Sequence, residues 1–220
     1  MINKLVMVKT LSNIVILESE GVDYGSISIT KKPRLLKNDD LKAIICDGPG
    51  FNDSEGVLKE ITNAYAIDKL FQNRSSPTKI LLFINYHDIY GRRKQIEETI
   101  SQLERMFPNI DELKQCIGLI ISMSENDRST NDYLEFLQAR SSPSLQSWCN
   151  FFIENNHRVF RFPTPERSEN GNQFLDFPDR SNIIQFITDE NFDIIHIDHQ
   201  IGLSDSAKKN IRNFWISNWC

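Results

Sequence analysis

The residues whose types and spacing could carry chemistry concentrate in Ile44-Ile45-Cys46-Asp47-Gly48-Pro49-Gly50-Phe51-Asn52-Asp53-Ser54. An apolar strand signal runs there into a carboxylate, a glycine-proline-glycine turn and a polar cluster. A carboxylate at a strand end can hold a cation, and a glycine lets a backbone amide approach an anion. A second constellation, Ser122-Met123-Ser124-Glu125, closes another apolar run with two hydroxyls and an acid. There, Ser124, Asn126 or Asp127 can equally serve as an ordinary helix cap. His87-Asp88 follows a strand end, the usual ligand edge of an α/β sheet, and equally makes a plain polar loop. His196-Ile197-Asp198-His199 has metal-ligating residue types, but alternation sets His196 and Asp198 on one side and His199 on the other. A surface turn is expected. Cys46, Cys116, Cys149 and Cys220 form no C-x-x-C pair, no histidine near any of them qualifies as a base, and no G-x-S-x-G elbow occurs.

The elements that must position these residues follow from periodicity. Leu5 to Val8 and Ile14 to Leu17 read as strands joined as a hairpin, and Ser26 to Thr30 alternates moderately. Leu41 to Cys46 reads as a buried strand stopped by Gly48-Pro49-Gly50. From Val57 the period becomes helical, with Val57, Ile61, Ala64 or Tyr65, and Leu70 or Phe71 on one side. Ile80 to Ile84 is an unbroken apolar strand suited to burial on both faces. Ile96, Ile100, Leu103 and Phe107 make the clearest helix, ended by Pro108, and Ile117 to Met123 is the next strand. Residues 130 to 155 form a helix broken at Ser141-Ser142-Pro143, with Pro143 in the first turn of the second piece. Arg158 to Phe162 is the last strand of this alternation. Residues 163 to 181 are polar and rich in turn formers, Phe192 to Ile197 is apolar, and a helix capped by Ser204 turns Ala207, Ile211, Phe214 and Trp215 inward. The alternation predicts an α/β fold, a three-layer, mostly parallel sheet flanked by helices. Two regions are expected: 1 to 163 as the α/β domain, and 164 to 220 as a polar loop with a helical extension that packs on it or leads to a partner.

On Asp47-Gly48-Pro49-Gly50-Phe51, Asp53-Ser54 and the strand-helix order around them, residues 41 to 163 resemble the later two-thirds of a P-loop GTPase-type G domain, in its septin-like and immune-associated or Toc-type branches. The resemblance implies that Asp47 holds Mg²⁺ through water, that the Gly50 amide meets the γ-phosphate of GTP, and that Phe51 to Glu55 form a switch. It also implies that Ser122 and Glu125 occupy the guanine-reading position, where Met123 replaces the lysine of Asn/Thr-Lys-x-Asp.

The sequence departs from this pattern upstream, where no G-x-x-x-x-G-K-[ST] occurs. The nearest segment, Glu18 to Ser26, has Glu18 and Asp23 in place of glycines and Tyr24 in place of lysine, so carboxylates would face a polyanion. The 20 residues between Ser26 and Asp47 leave little room for a helix of about 10–14 residues plus a switch and a strand. Ser26, Ser28 and Thr30 read as exposed strand residues rather than Mg²⁺ ligands. The function expected is therefore a G-domain-like fold lacking its P-loop, a non-catalytic binding or assembly module with hydrolysis absent or very weak. Its partner would be a second copy or another protein through G-domain faces. The alternative is a fragment of an active GTPase whose P-loop lies upstream of Met1. Apolar residues at 40% and charged residues at 25% suit an ordinary globular domain, and a net charge of −5 gives no reason to expect nucleic acid. Without an apolar run of about 20 residues or a signal-peptide pattern, a cytoplasmic chain with no transmembrane segment is expected.

Overall fold

The computed structural model describes residues 4–10, 34–39, 41, 43–50, 57–72, 78–124, 128–139, 141–163, 177–189, 191 and 198–219. In chain order the elements are β1 (Lys4–Thr10), β2 (Arg34–Asn38), β3 (Ala43–Gly50), α1 (Val57–Gln72), β4 (Thr78–Asn85), α2 (Tyr86–Gly91), α3 (Arg93–Met106), α4 (Ile110–Cys116), β5 (Ile117–Ser124), α5 (Thr130–Gln138), α6 (Pro143–Glu154), β6 (Val159–Pro163), α7 (Arg180–Thr188) and α8 (Asp205–Trp219). The six strands form one sheet in the order β2-β3-β1-β4-β5-β6. The unbroken apolar runs behave as expected, since β4, β5 and β6 pair in parallel and helices connect them. The other half of the sheet is a correction to the expectation of a mostly parallel one. β1 pairs antiparallel with both β3 and β4, and β2 pairs antiparallel with β3, so the sheet is mixed. For β2 and β3 the reason is length: only residues 39–42 join them, enough for a hairpin and far too few for a crossover.

The connections through α1, through α2 to α4 and through α5 and α6 link successive co-directional strands moving one way across the sheet. Right-handed crossovers then stack these helices on one face. That face holds the main core, where Ile67 and Phe71 of α1, Ile96, Ile100 and Leu103 of α3, and Trp148 and Phe152 of α6 meet Ile80, Leu82, Ile84, Leu119 and Ile121. The spacing of four and three in α3 puts Ile96, Ile100 and Leu103 on this core, and Phe107 is buried just beyond the helix end. Ser142 caps α6 and Pro143 is in its first turn, while α5 starts at Ser129, whose hydroxyl and the Asp132 carboxylate satisfy each other's backbone amides. Ser129, rather than Ser124, Asn126 or Asp127, is the cap.

The opposite face is covered among the described residues by α7, whose Phe186 and Ile187 pack on Leu81, Ile120 and Phe160. Two polar anchors fix its ends. Asp179 accepts from the Arg161 amide at 2.7 Å, and the buried Lys79 ammonium donates to the Ile187 carbonyl at 2.7 Å, where the helix end carries partial negative charge. The chain returns to the main-core side through residues 198–204. There Gln200 donates to Met106 O, and Ser204 gives both its amide and its hydroxyl to Glu60 at 2.6 and 2.9 Å. Ser204 also accepts from the Ala207 amide as the cap of α8, and Ala207 packs with Ala64 and Leu203. No described helix is long and apolar enough to cross a membrane.

Gly118 lies beneath α7, where an added Cβ would stand 3.2 Å from Leu81 Cδ2 and from two atoms of the Phe186 ring. Gly118→Val adds branches beyond that Cβ and is predicted to lower the unfolding free energy by about 1–3 kcal/mol through overpacking. Urea denaturation reads this directly, and an unchanged midpoint would show that α7 does not rest on β5.

Candidate functional site

Strands β3, β4, β5 and β6 run in one direction, so Gly50, Asn85, Ser124 and Pro163 end at a common edge. Ligands in α/β sheets bind outside such carboxyl ends. The turn expected after Cys46 is not found: β3 continues through Asp47 to Gly50, where Lys4 of β1 supplies a ladder partner. Val6 stands opposite Asp47 and Lys4 opposite Gly50, so the register slips across Gly48 and Pro49. A proline without an N–H accounts for a bulge at that point.

The direction of β1 limits what can face Asp47. Thr10 pairs with Ala43 and Lys9 with Thr78, which sets the carboxyl end of β1 at the sheet edge away from Gly50. The other neighbour of β3, β2, also ends at Ala43. Neither strand beside β3 has its carboxyl end next to Asp47. The nearest co-directional strand is β4, two strand spacings or about 10 Å away, and it leads into Tyr86 and α2 with no glycine.

At the ends of β4 and β5 the side chains converge. Asn85 and Ser122 are register partners, and the Ser122 hydroxyl donates to Ile84 O at 3.3 Å. Asn85 caps α2 by accepting from the His87 amide at 2.9 Å, and its amide nitrogen contacts Met123 Sδ at 3.8 Å. Met123 has φ of 57°, the one positive value among described residues other than glycine, and the β5–β6 ladder bulges there between Ser122 and Ser124. A left-handed L-residue costs about 1–2 kcal/mol, so the surroundings must hold it. Ser124, next along, is buried, and its hydroxyl finds no hydrogen-bond partner among the described residues. Asp88, one turn into α2, is also buried. Burial pushes its carboxyl above the ordinary range, and the charge of Arg92 offsets only part of this. Outside it, Tyr133 packs edge to face with both Tyr86 and Tyr90, and the Arg128 guanidinium lies over Tyr90 and bonds its hydroxyl.

Of the sequence-derived candidates, Asp47 and Gly50 end β3, and Ser122 ends β5 about three strand spacings away, roughly 15 Å. They share an edge without touching. Glu125, Phe51 to Glu55, Glu18 to Ser26, Ser28, Thr30 and His196 lie outside the described residues, as does the Asp47 side chain. His199 is not on a surface turn: its Nε2 lies 3.3 Å from Asp68 Oδ1, its ring packs on Phe71, and its side chain is 5% exposed. Among the described residues no three His, Cys, Asp or Glu side chains group as a metal site. The Cys149 thiol is pushed up to about 12 by burial, so it stays protonated and unreactive. Sequence reasoning missed Asn85, whose Asn-x-x-Asp spacing to Asp88 after an apolar strand is a cap signal, and the Met123 conformation, which leaves no trace in residue type.

Among the described residues no base stands beside the hydroxyls of this edge. Two expectations follow. Ser124→Ala removes a buried hydroxyl that bonds no described residue, so it should raise the unfolding free energy by about 1 kcal/mol, and a loss in urea denaturation would reveal a partner. Burial lets the folded chain keep the Asp88 proton to higher pH than the unfolded chain, so this group's stability contribution falls as pH rises through the folded-state value. Asp88→Asn should therefore stabilise at pH 7 and change little near pH 3, below the carboxylate range of about 4 in the unfolded chain. Equal effects of the substitution at both pH values would refute the burial cause. Comparison with known proteins adds no relative to this geometry: no family profile, no curated protein and no solved structure matches the chain.

Proposed function

We propose that the carboxyl edge of β3, β4 and β5 is the binding edge of a G-domain-like nucleotide-binding fold that works without a P-loop, as a non-catalytic binding or assembly module. The observation that carries this reading is the direction of β1. Three strand ends with binding chemistry, at Asp47 to Gly50, Asn85 and Ser122 to Ser124, share one edge, while both neighbours of β3 finish at the other. A ligand meeting both Asp47 and Ser122 must span roughly 15 Å, which favours an elongated molecule such as a nucleotide over a compact one. In this reading the Asp47 carboxylate holds Mg²⁺ through water, the Gly50 end of β3 meets the phosphates, and Ser122 with Glu125 meets the base. Mg²⁺ bound by a single carboxylate keeps several waters and takes its remaining ligands from phosphates. Without P-loop amides and a lysine the phosphates lack most of the donors that hydrolysis requires, so turnover is absent or very slow. The upstream-P-loop alternative fits less well, because the positions on both sides of β3 are filled by antiparallel strands. Assembly through a second copy is the partner that the resemblance implies.

The test titrates the protein with fluorescent GTP and ATP in Mg²⁺, with Asp47→Ala as control and turnover and sedimentation followed in parallel. Nucleotide binding that Asp47→Ala weakens, without phosphate release, is the expected result. Multiple turnover would overturn the non-catalytic reading, and no binding of either nucleotide would overturn the nucleotide reading altogether.

A further inference from the structure

Away from the carboxyl edge, a cavity of about 270 Å³ opens between the start of β6 and the last turns of α7. Its floor is apolar: Phe160 and Phe186 are buried, with ring centroids 5.8 Å apart. Its rim carries acceptors. Asp189 follows α7 and uses Oδ1 to accept from the amide and side chain of Asn191 at 3.0 and 2.8 Å. Its other oxygen accepts nothing among the described residues, and the carboxylate makes no ion pair there. Asn182 commits its side-chain nitrogen to Asp179 at 3.4 Å, which leaves its carbonyl oxygen, and Gln185 is exposed on the same helix. His157 Nε2 accepts from Arg158 Nε at 3.4 Å.

The nearby cations are already committed. Lys79 donates to the Ile187 carbonyl beneath the helix, and Arg158 donates to Lys114 O and Gln115 O besides His157. Among the described lining residues none is a lysine or arginine. A carboxylate that no described cation neutralises, beside the partly negative end of a helix and above buried apolar rings, selects for one ligand class.

We propose that this cavity binds a small organic cation, a primary ammonium or guanidinium on a short aliphatic stem. The free Asp189 oxygen pairs with the charge, the Asn182 and Gln185 carbonyls accept the remaining N–H groups, and the stem lies on Phe160 and Phe186. The volume is slightly below the ~300–1,000 Å³ usual for ligand pockets, which fits a short diamine. The same head group could arrive free or as an arginine side chain of another chain, and two probes separate these sources.

Isothermal titration with putrescine and agmatine tests the site, with 1,4-butanediol as the neutral isostere of putrescine and N-acetyl-arginine methylamide as the peptide-borne guanidinium. Saturable binding of the cations and none of the diol is expected. Asp189→Asn keeps an oxygen for the Asn191 amide and removes the charge, so it should weaken binding by about tenfold or more with the thermal midpoint unchanged. Should that variant unfold, Gln185→Ala must weaken the same cations on a folded protein. Binding of the arginine amide assigns the site to a partner side chain, and its failure beside good agmatine binding assigns it to a free amine. No saturation up to about 10 mM, equal affinity for the diol, or affinity untouched in a folded Asp189→Asn protein would overturn the proposal.

Discussion

The structure turns on the placement of one strand against its neighbours. β1 fills the position between β3 and β4 and pairs with both in the antiparallel sense. Antiparallel and parallel ladders both satisfy the backbone, so hydrogen bonding alone does not select this direction. What the direction does is separate the edges. The carboxyl ends of β3, β4, β5 and β6 gather on one side of the molecule, and everything that leaves β1 or β2 leaves on the other. An edge organised in this way can still bind, since strand-end amides, caps and buried hydroxyls remain there. No turn that leaves β1 or β2 starts beside it, where a polyphosphate would need one.

The same topology makes the two faces unequal. Successive crossovers in one direction load α1 to α6 onto a single face, and α7 is the described helix on the other. A lone helix on a broad sheet face needs more than apolar contact to fix its position. Asp179 with Arg161 and Lys79 with the Ile187 carbonyl supply that fix at its two ends. Hydrogen bonds to charged groups contribute about 1.5–3 kcal/mol each, but burying an ammonium costs several. Lys79 therefore adds positional specificity more than net stability, and it confines α7 to an alignment that leaves a recess beside β6.

Much of the architecture was legible in residue order. The apolar runs of β4 and β5, the four-and-three spacing on α3, the proline in the first turn of α6 and Ser204 as the cap of α8 all reflect local physics that sequence states openly. What stayed hidden depends on partners distant in the chain. Gly48-Pro49-Gly50 has every local mark of a turn, yet a ladder with Lys4 extends β3 through it. β2 carries Arg34, Lys37 and Asn38, which mask its strand character, and α2 is too short to show a period. α7 lies behind a polar stretch that obscures its start. At the site, Asp47 and Ser122 were found near strand ends, because strand ends follow from periodicity, while Gly50 was read into the turn rather than the strand. Neither the left-handed Met123 nor the unpartnered Ser124 hydroxyl could be foreseen, because no glycine or asparagine announces the one and only packing creates the other.

The central strand also precedes its described partners in the chain. As the chain emerges from the ribosome, β1 appears with two open edges, and its partners at Ala43 to Gly50 and Thr78 to Phe83 follow only after a long stretch of synthesis. Until then its Leu5-Val6-Met7-Val8 segment presents apolar side chains and unpaired amides to other chains. Pairings this far apart in sequence raise the contact order of the sheet and slow its closure.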